Sequence, residues 1–384
     1  MEELLYRDRR GTNCCKWDYP QGQFTKPDLL ALWVADMDFA APECVRRALS
    51  RQVEFGVFGY PASSEAYYEA FQNWEEARFG FRPQRAWLRY TPGVVAGFYW
   101  MIQILTEPGD AVLIQPPVYY PFKNAVLDTG RTLVCNSLVC TQGVYSVDLA
   151  DFEAQIVRNR VKAFLLCSPH NPVGRVWTRE ELCAMLTICR RHGVYVIADE
   201  IHQDFVHPGH TQIPAASLEE FRDILVSLTA PSKTFNLAGL KVSTAILPDP
   251  ELQKRFDAFV APLRVTDGTE LGLCAGAAAY TGGQAWLDAV LETVRGNDRL
   301  LREILARRPE ITVSPLEGTY LAWVDLGPSV TSREALTDLV ETRCGLAVDY
   351  GHWFGEGCAS KIRLNLATRP ENIRLAAERL SAAL

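Results

Sequence analysis

The chain has 384 residues, of which 48% are hydrophobic, and this is enough to form two globular domains with a large buried core. Its net charge of −7 and its lack of runs rich in lysine and arginine argue against general nucleic-acid binding. No apolar run reaches the roughly 20 residues that span a bilayer, and the N-terminus lacks the apolar core of a signal peptide. The eleven cysteines include no C-x-x-C pair. We therefore expect a reduced, cytoplasmic protein without a membrane segment.

Short apolar runs alternate with helical patterns between residues 86 and 250. The runs of strand length occupy 111–115, 161–167, 194–199, 224–229 and 242–247. They are apolar on both faces, which is typical of parallel strands covered by helices on both sides. Helices are predicted over 94–105 and 178–192, and the second opens with a capping-box spacing of Thr178 and Glu181. This alternation predicts a doubly wound α/β sheet, mostly parallel.

The pattern changes after residue 280 to that of a smaller α+β domain. Apolar residues at helical spacing predict one long amphipathic helix over 286–305. The elements predicted after it are a strand at 319–325, a helix at 332–343, a strand at 361–366 and a terminal helix from Pro370. We therefore divide the chain into an N-terminal arm (1–45) that packs on the small domain, a large domain (46–280) and a small C-terminal domain (281–384).

Three polar patches stand near the ends of predicted strands, where open α/β sheets bind their ligands. The glycine turn at 91–97 opens a helix, and its amides suit a phosphate, although such a turn is often only a turn. Asn171 lies between two prolines; its amide can donate to a phenolate-like oxygen, or the segment is simply a rigid loop. Asp199 ends a strand, where a carboxylate can hold a protonated pyridine nitrogen or cap a helix.

A fourth patch is the segment TAPSKTFNLAG, which begins at Thr229 and contains Lys233. Burial among small and apolar residues would lower the pKa of Lys233 and leave a nucleophilic amine. A lone lysine after a strand is far more often a solvated loop residue. The four patches in this order and spacing are what predict a cofactor site.

On these motifs the chain resembles fold-type I pyridoxal-phosphate (PLP) enzymes, the aspartate-aminotransferase superfamily. Within it the chain is most similar to the cystathionine β-lyase branch, the MalY/PatB-type C–S lyases. The resemblance covers nearly the whole chain and includes further motifs: RRGT from Arg9, WVADMDF from Trp33, VFGY from Val57, PVYYP from Pro117, PLEGTY from Pro315 and IRLNL from Ile362.

This resemblance implies a PLP enzyme that cleaves cystathionine or another S-substituted cysteine to a thiol, pyruvate and ammonia. Two alternatives stay open. One is an aminotransferase of a free amino acid, which needs the same residues. The other is a non-catalytic, PLP-binding regulatory protein, against which the intact Lys233, Asp199 and Arg363 argue.

The resemblance also implies a role for each matching residue. Lys233 would carry the cofactor as a Schiff base, and Asp199 would pair with its ring nitrogen. The remaining implied cofactor contacts are Asn171 and His202 at the 3′-oxygen, Tyr119 on the ring face, the amides of Gly93, Val94 and Val95 at the phosphate, Ser232 and Lys241, and Tyr60 from the other subunit of a homodimer. The implied substrate contacts are Arg363, Ala35 and Tyr119.

The chain departs from the usual pattern of these relatives at several positions. Ala230 stands where many relatives have a serine on the phosphate. Lys241 stands where relatives often have arginine, and its charge could serve the phosphate. The segments 266–272 and 349–354 are atypical, and the second lies where substrate side chains are often met, so substrate identity stays open.

Two patterns have alternative readings. Tyr119 and Tyr120 are adjacent and should point in opposite directions, and only motif alignment favours Tyr119. His202, His207 and His210 have a spacing that could suggest a metal site. The Pro-Gly turn between them and the lack of a completing carboxylate or cysteine predict no metal there.

Overall fold

A computed structural model of the protein describes residues 3–18, 22–62, 64–265 and 268–384. Thr266 and Asp267, which open the atypical segment 266–272, lie outside this part. In chain order the strands are β1 (Leu30–Ala31), β2 (Leu88–Thr91), β3 (Ala111–Ile114), β4 (Thr132–Cys135), β5 (Val139–Thr141), β6 (Val144–Ser146), β7 (Ala163–Cys167), β8 (Tyr195–Asp199), β9 (Leu225–Thr229), β10 (Ser243–Ile246), β11 (Thr312–Val313), β12 (Leu321–Asp325), β13 (Leu346–Ala347), β14 (Asp349–Tyr350) and β15 (Lys361–Asn365). The α-helices are α1 (Cys15–Asp18), α2 (Glu43–Phe55), α3 (Glu65–Phe79), α4 (Val94–Leu105), α5 (Pro121–Asp128), α6 (Leu149–Asn159), α7 (Arg179–Arg191), α8 (Pro231–Thr234), α9 (Pro250–Val260), α10 (Glu270–Gly282), α11 (Gln284–Leu305), α12 (Arg333–Thr337) and α13 (Pro370–Ala383).

Within the described residues, seven strands form a mixed sheet in the order β2-β10-β9-β8-β7-β3-β4. The five strands from β9 to β4 are parallel, whereas β10 is antiparallel to both of its neighbours. The prediction of a parallel strand at 242–247 is therefore wrong in direction. A parallel return usually crosses the face of the sheet through a helix. Here the link from β9 contains only the single turn α8 and a short 3₁₀ turn at Ala238–Leu240, and the chain returns beside β9 in the opposite sense.

Helices cover both faces of this sheet, which explains why its central strands are buried throughout. All five residues of β7 are buried, and so are all five of β9. Helices α4 and α7 match the predicted helices. The capping box of α7 is present, since Thr178 Oγ1 accepts from the Glu181 amide at 3.2 Å and Glu181 accepts from the Thr178 amide at 2.9 Å.

A second sheet, antiparallel, has the order β11-β12-β15-β14 within the described residues, and α11 and α13 pack together beside it. The predicted helix at 332–343 is α12 followed by a π-helical turn at Asp338–Arg343. Glu341 in this turn accepts from the amide and hydroxyl of Thr25 and from the hydroxyl of Tyr350. The N-terminal strand β1 also joins this part of the chain, because it pairs in parallel with β13.

The carboxyl ends of the central strands meet at one edge of the large sheet. Cys167 at the end of β7 is paired in register with Asp199 at the end of β8, and Asp199 is paired with Leu228 of β9. Strand β15 approaches the same edge, since Arg363 is hydrogen-bonded to Asn171 in the loop after β7. None of the helices in the described part of the chain has the length and apolar character needed to cross a membrane.

Candidate active site

A cavity of about 700 Å³ opens where the large sheet meets β14 and β15. All but one of the predicted site residues line it: Ala35, Gly93, Val94, Val95, Tyr119, Asn171, Asp199, His202, Ser232, Lys233, Lys241 and Arg363. The exception is Tyr60, which is 99% exposed. The fold therefore brings together residues that are up to 328 positions apart in the sequence, as Ala35 and Arg363 are.

Lys233 lies on α8, the single turn that follows β9. Its Nζ donates to the carbonyl oxygen of Ala35 at 2.5 Å, and the hydroxyl of Tyr320 donates to the same oxygen at 2.8 Å. Burial of the amine lowers the pKa of Lys233 to about 8, although the nearby carboxylate of Asp36 opposes this change. The cavity therefore contains an amine that is partly neutral near physiological pH.

The turn that carries Lys233 is fixed by side chains that the sequence motifs did not single out. The carboxylate of Asp204, buried behind the turn, accepts from Thr234 Oγ1 at 2.7 Å. On the other side Asn236 Nδ2 donates to the carbonyl oxygen of Met37 at 3.0 Å, and Asn236 Oδ1 accepts from the Met37 amide. These bonds join the turn to two other segments and hold the amine in place.

Asp199 is buried at the carboxyl end of β8, and its Oδ1 accepts from the Ile201 amide at 3.1 Å. Burial raises the pKa of Asp199 to about 7, while that backbone bond and the charge of Lys233 favour the ionised form. His202 is also buried, and burial lowers its pKa, so its imidazole is neutral. Its Nδ1 has no hydrogen-bond partner among the described residues. Both side chains line the cavity and can form further hydrogen bonds.

Asn171 and Arg363 are held together at the centre of the cavity. Arg363 Nη1 donates to Asn171 Oδ1 at 2.9 Å. Because a guanidinium only donates, the amide oxygen of Asn171 must face it, and the amide nitrogen of Asn171 remains as a donor. The orientation of Asn171 therefore suits the predicted contact with a phenolate-like oxygen.

The two adjacent tyrosines both line the cavity but have different surroundings. The charge of Asp199 acts on the pKa of Tyr119, which burial raises above its usual value. The ring of Tyr120 instead packs edge-on against Trp353 and Phe354, at centroid distances of 6.2 and 6.1 Å. The amide of Tyr119 donates to the carbonyl oxygen of Asn171 at 3.1 Å, which places Tyr119 next to another predicted cofactor contact and favours its predicted role.

The N-terminus of α4 forms another wall of the cavity. Gly93 precedes it with φ 120° and ψ 148°, a conformation that is essentially limited to glycine. The Gly93 amide is one of the three amides predicted to hold a phosphate. In the structure it donates instead to Ser243 Oγ at 3.0 Å. The first amides of a helix have no partner within it, which leaves those of Val94, Val95 and Ala96 directed to the cavity end of α4.

Arg363 has a partner that sequence reasoning missed. Strands β14 and β15 pair with Asp349 opposite Arg363, and the Asp349 carboxylate accepts from Arg363 Nη2 in a buried ion pair. Burial raises the pKa of Asp349 to about 6, although the charge of Arg363 opposes the shift. Asp349 belongs to the segment 349–354, and the unusual sequence of this segment was the signal that could have identified it. Cys167 also lines the cavity without having been predicted.

The three histidines considered for a metal site lie in different environments. His202 lines the cavity, whereas His207 and His210 line a separate pocket beside Arg78. In the described ranges no group of three or more histidine, cysteine, aspartate or glutamate side chains is arranged to hold a metal ion.

The fold and the cavity define a class of protein, and comparison with known families agrees. The chain belongs to the aminotransferase class I and II family, whose profile matches residues 27–380. It is 36% identical to cystathionine beta-lyase PatB of Bacillus subtilis (strain 168), and the match covers 98% of both chains. It is 33% identical to protein MalY of Escherichia coli (strain K12), over 93% of this chain and 92% of that one.

Among solved structures, that of cystalysin from Treponema denticola, which contains a pyridoxal 5′-phosphate cofactor, is similar with a TM-score of 0.95 and 32% identity. The similarity covers 100% of this chain and 98% of that chain. The family and the fold class predicted from the sequence are thereby confirmed, and so is the resemblance to the PatB and MalY branch.

Proposed function

We propose that the chain is a PLP-dependent carbon–sulfur β-lyase that cleaves cystathionine or another S-substituted cysteine to a thiol, pyruvate and ammonia. The observation that carries the proposal is the presence of an amine of lowered pKa, Lys233, and a buried carboxyl group, Asp199, in the wall of one cavity. The similarity to a named cystathionine beta-lyase over 98% of the chain supports the lyase reaction in particular.

The residues in the cavity fit PLP group by group. The buried carboxyl of Asp199 suits a protonated ring nitrogen. The positive charge of that nitrogen would offset the cost of keeping the Asp199 carboxylate ionised in a buried position. The Asn171 amide and the neutral imidazole of His202 suit the region of the 3′-oxygen. The amides at the start of α4, together with Lys241 and Ser232, suit the phosphate.

Lys233 has two tasks in this proposal. When bound, PLP withdraws electrons from the substrate and makes its Cα–H bond acidic. The amine of Lys233 first anchors the cofactor and, once released, takes the proton from Cα. Asp199 keeps the proton on the ring nitrogen, and Tyr119 packs on the ring face. Departure of the thiolate from Cβ then commits the substrate to elimination.

Arg363 and Ala35 act on the substrate. The guanidinium of Arg363 is the group that would bind the substrate carboxylate, through two parallel charge-assisted hydrogen bonds. The carbonyl oxygen of Ala35, which accepts from Lys233 Nζ, lines the same part of the cavity and keeps the released amine near Cα.

The reaction can be tested by incubating the purified, PLP-loaded protein with cystathionine and measuring pyruvate and free thiol. We expect both products in equal amounts without any added amino acceptor. Formation of a keto acid only when an acceptor is supplied would favour the aminotransferase alternative. A PLP-loaded protein that is inert on amino acids generally would favour the regulatory alternative.

We infer that the active protein is a homodimer in which Tyr60 reaches the phosphate of the other subunit. Tyr60 is almost fully exposed and does not line the cavity of its own chain. It ends a segment in which Phe55, Val57 and Phe58 are also more than half exposed. Such contiguous apolar exposure is typical of a subunit interface.

Mixed dimers test this arrangement. A Lys233→Ala chain and a Tyr60→Ala chain, each poorly active alone at limiting PLP, should complement each other when mixed. Roughly a quarter of wild-type activity is expected, because half of randomly formed dimers are hybrids and each hybrid has one intact site. Activity no higher than the average of the two parents would contradict a shared site. Size-exclusion chromatography with light scattering provides the oligomeric state independently.

We also propose that the enzyme works in the cytoplasm. No disulfide joins any of the eleven cysteines, all of which lie in the described part of the chain. Abundant thiols without disulfides are typical of a reducing compartment.

A further inference from the structure

The ion pair between Asp349 and Arg363 lies where the substrate is expected to bind. Both residues line the cavity and are 2% exposed. Two acidic residues line the cavity within the described part of the chain, Asp199 and Asp349. Since Asp199 serves the ring nitrogen, Asp349 is the carboxylate available to the substrate.

The hydrogen bonds of Arg363 show why Asp349 must move when a substrate binds. A guanidinium offers two forked edges to a carboxylate, and both edges use Nη2. Arg363 Nη2 donates to the carbonyl oxygen of Trp33 at 3.1 Å and to Asp349 Oδ2, so both of its hydrogens are occupied. Nη1 donates to Asn171. A substrate carboxylate therefore cannot bind with two bonds until either Trp33 or Asp349 gives way.

Asp349 is the partner that can leave. The carbonyl of Trp33 belongs to a backbone segment held on both sides, by the pairing of β1 with β13 and by Asn365 Nδ2, which donates to Val34 at 2.7 Å. The carboxylate of Asp349 needs only a side-chain rotation to release Nη2. Exchange of one carboxylate for another on Arg363 also keeps the guanidinium paired throughout.

A displaced Asp349 carboxylate would be buried without a cation, which is costly. The protein cations of the cavity are already engaged, since Lys233 and Lys241 serve the cofactor and Arg363 would hold the substrate. The aromatic ring of Tyr120 lines the same cavity as Asp349. A carboxylate next to an aromatic ring is a favourable environment for a cation. A cationic group on the substrate would complete this arrangement and keep Asp349 ionised.

We propose that Asp349 occupies Arg363 in the substrate-free enzyme, yields it to the α-carboxylate of the substrate and then binds a cationic group on the sulfur substituent. The inference rests on the proposed function and narrows its substrates to S-substituted cysteines with a positively charged distal group, such as an ammonium.

Two thioethers of equal length test this role, S-(2-aminoethyl)-L-cysteine and S-propyl-L-cysteine, which differ in a terminal ammonium or methyl group. For the wild-type enzyme we expect kcat/KM to be about 10- to 100-fold higher for the aminoethyl compound, the size of one charge-assisted contact. In Asp349→Asn this preference should disappear, while KM for the propyl compound falls or stays unchanged because no carboxylate competes for Arg363. The control Glu356→Gln, which removes an exposed carboxylate seven residues further on, should keep the preference.

Two results would overturn the inference: equal use of both compounds by the wild-type enzyme, or an equal loss for both compounds in Asp349→Asn. The second would mean that Asp349 only holds Arg363 in place. Failure of the proposed lyase function is recognised separately, as the absence of pyruvate from either compound. In that case the two dissociation constants, obtained from the change in visible absorption of the PLP-loaded protein on titration, still measure the preference.

Discussion

Replacing Lys233 with alanine should abolish turnover and the covalent retention of PLP. In our proposal the amine of Lys233, which lines the cavity, both anchors the cofactor and moves the Cα proton, and loss of a positioned base alone costs about 10²- to 10⁴-fold in rate. Borohydride reduction converts a Schiff base to a secondary amine that no longer dissociates, so PLP that stays on the protein after reduction and unfolding measures the covalent link. PLP retained by Lys233→Ala after this treatment would remove Lys233 from its proposed role.

The second lysine of the cavity provides the comparison for this experiment. Lys241 also lines the cavity, at the phosphate end in our proposal. Lys241→Ala should weaken the affinity for PLP, yet at saturating cofactor the visible band should return, and after borohydride reduction the cofactor should stay attached through unfolding. Any lysine near the cofactor could affect its binding, but only Lys233 should affect its covalent attachment.

The lowered pKa of Lys233 explains why this amine can act near neutral pH. An ordinary lysine, with a pKa near 10.4, is almost entirely protonated at pH 7, whereas a pKa of about 8 leaves roughly a tenth of the amine neutral. Burial causes the shift, and burial comes from the fold rather than from the sequence near the lysine. The motif identified the residue, but the structure provides the reason for its reactivity.

Five of the seven described strands of the large sheet could be predicted from sequence, because burial on both faces gives continuous apolar runs. The strands β2 and β4 at the two edges of the sheet were not predicted; β2 contains Arg89, and β4 is largely exposed. The direction of a strand could not be predicted, since a parallel and an antiparallel central strand show the same pattern. Strand β10 is the example, and only the short helical link that precedes it fixes its direction. In the same way, helical spacing predicted 332–343 without indicating the π-helical turn that brings Glu341 to Thr25.

The site shows the same division between what motifs predict and what only contacts reveal. Twelve of the predicted residues line one cavity because each belongs to a motif with its own local signal. Asp349 was marked only as part of an atypical segment, and its pairing with Arg363 depends on the register of β14 and β15. Ser243 was missed for a similar reason, since its hydroxyl accepts from the Gly93 amide across 150 residues of sequence. The roles of all these residues stay predictions, and that of Tyr60 also depends on a second chain.

Replacing Asp199 with asparagine should lower kcat by about 10²- to 10³-fold, the usual cost of losing one electrostatic group directed at the reacting charge. Asparagine has the same shape and can still accept from the Ile201 amide, so the fold and the covalent link to Lys233 should survive. It has no charge, however, and cannot keep a proton on the ring nitrogen. A change in the visible absorption of the bound cofactor should accompany the loss of rate.

The neighbouring Glu200 offers a matched control for this substitution. It is buried at the same strand end, burial raises its pKa also to about 7, and it accepts from the Ala215 amide at 2.8 Å, but it does not line the cavity. Glu200→Gln should therefore leave kcat and the spectrum near those of the wild type. A PLP analogue methylated on the ring nitrogen, whose positive charge needs no carboxylate, should restore part of the activity of Asp199→Asn. If the analogue gives no recovery and Glu200→Gln is equally impaired, Asp199 contributes to the stability of the strand end and not to the charge on the ring.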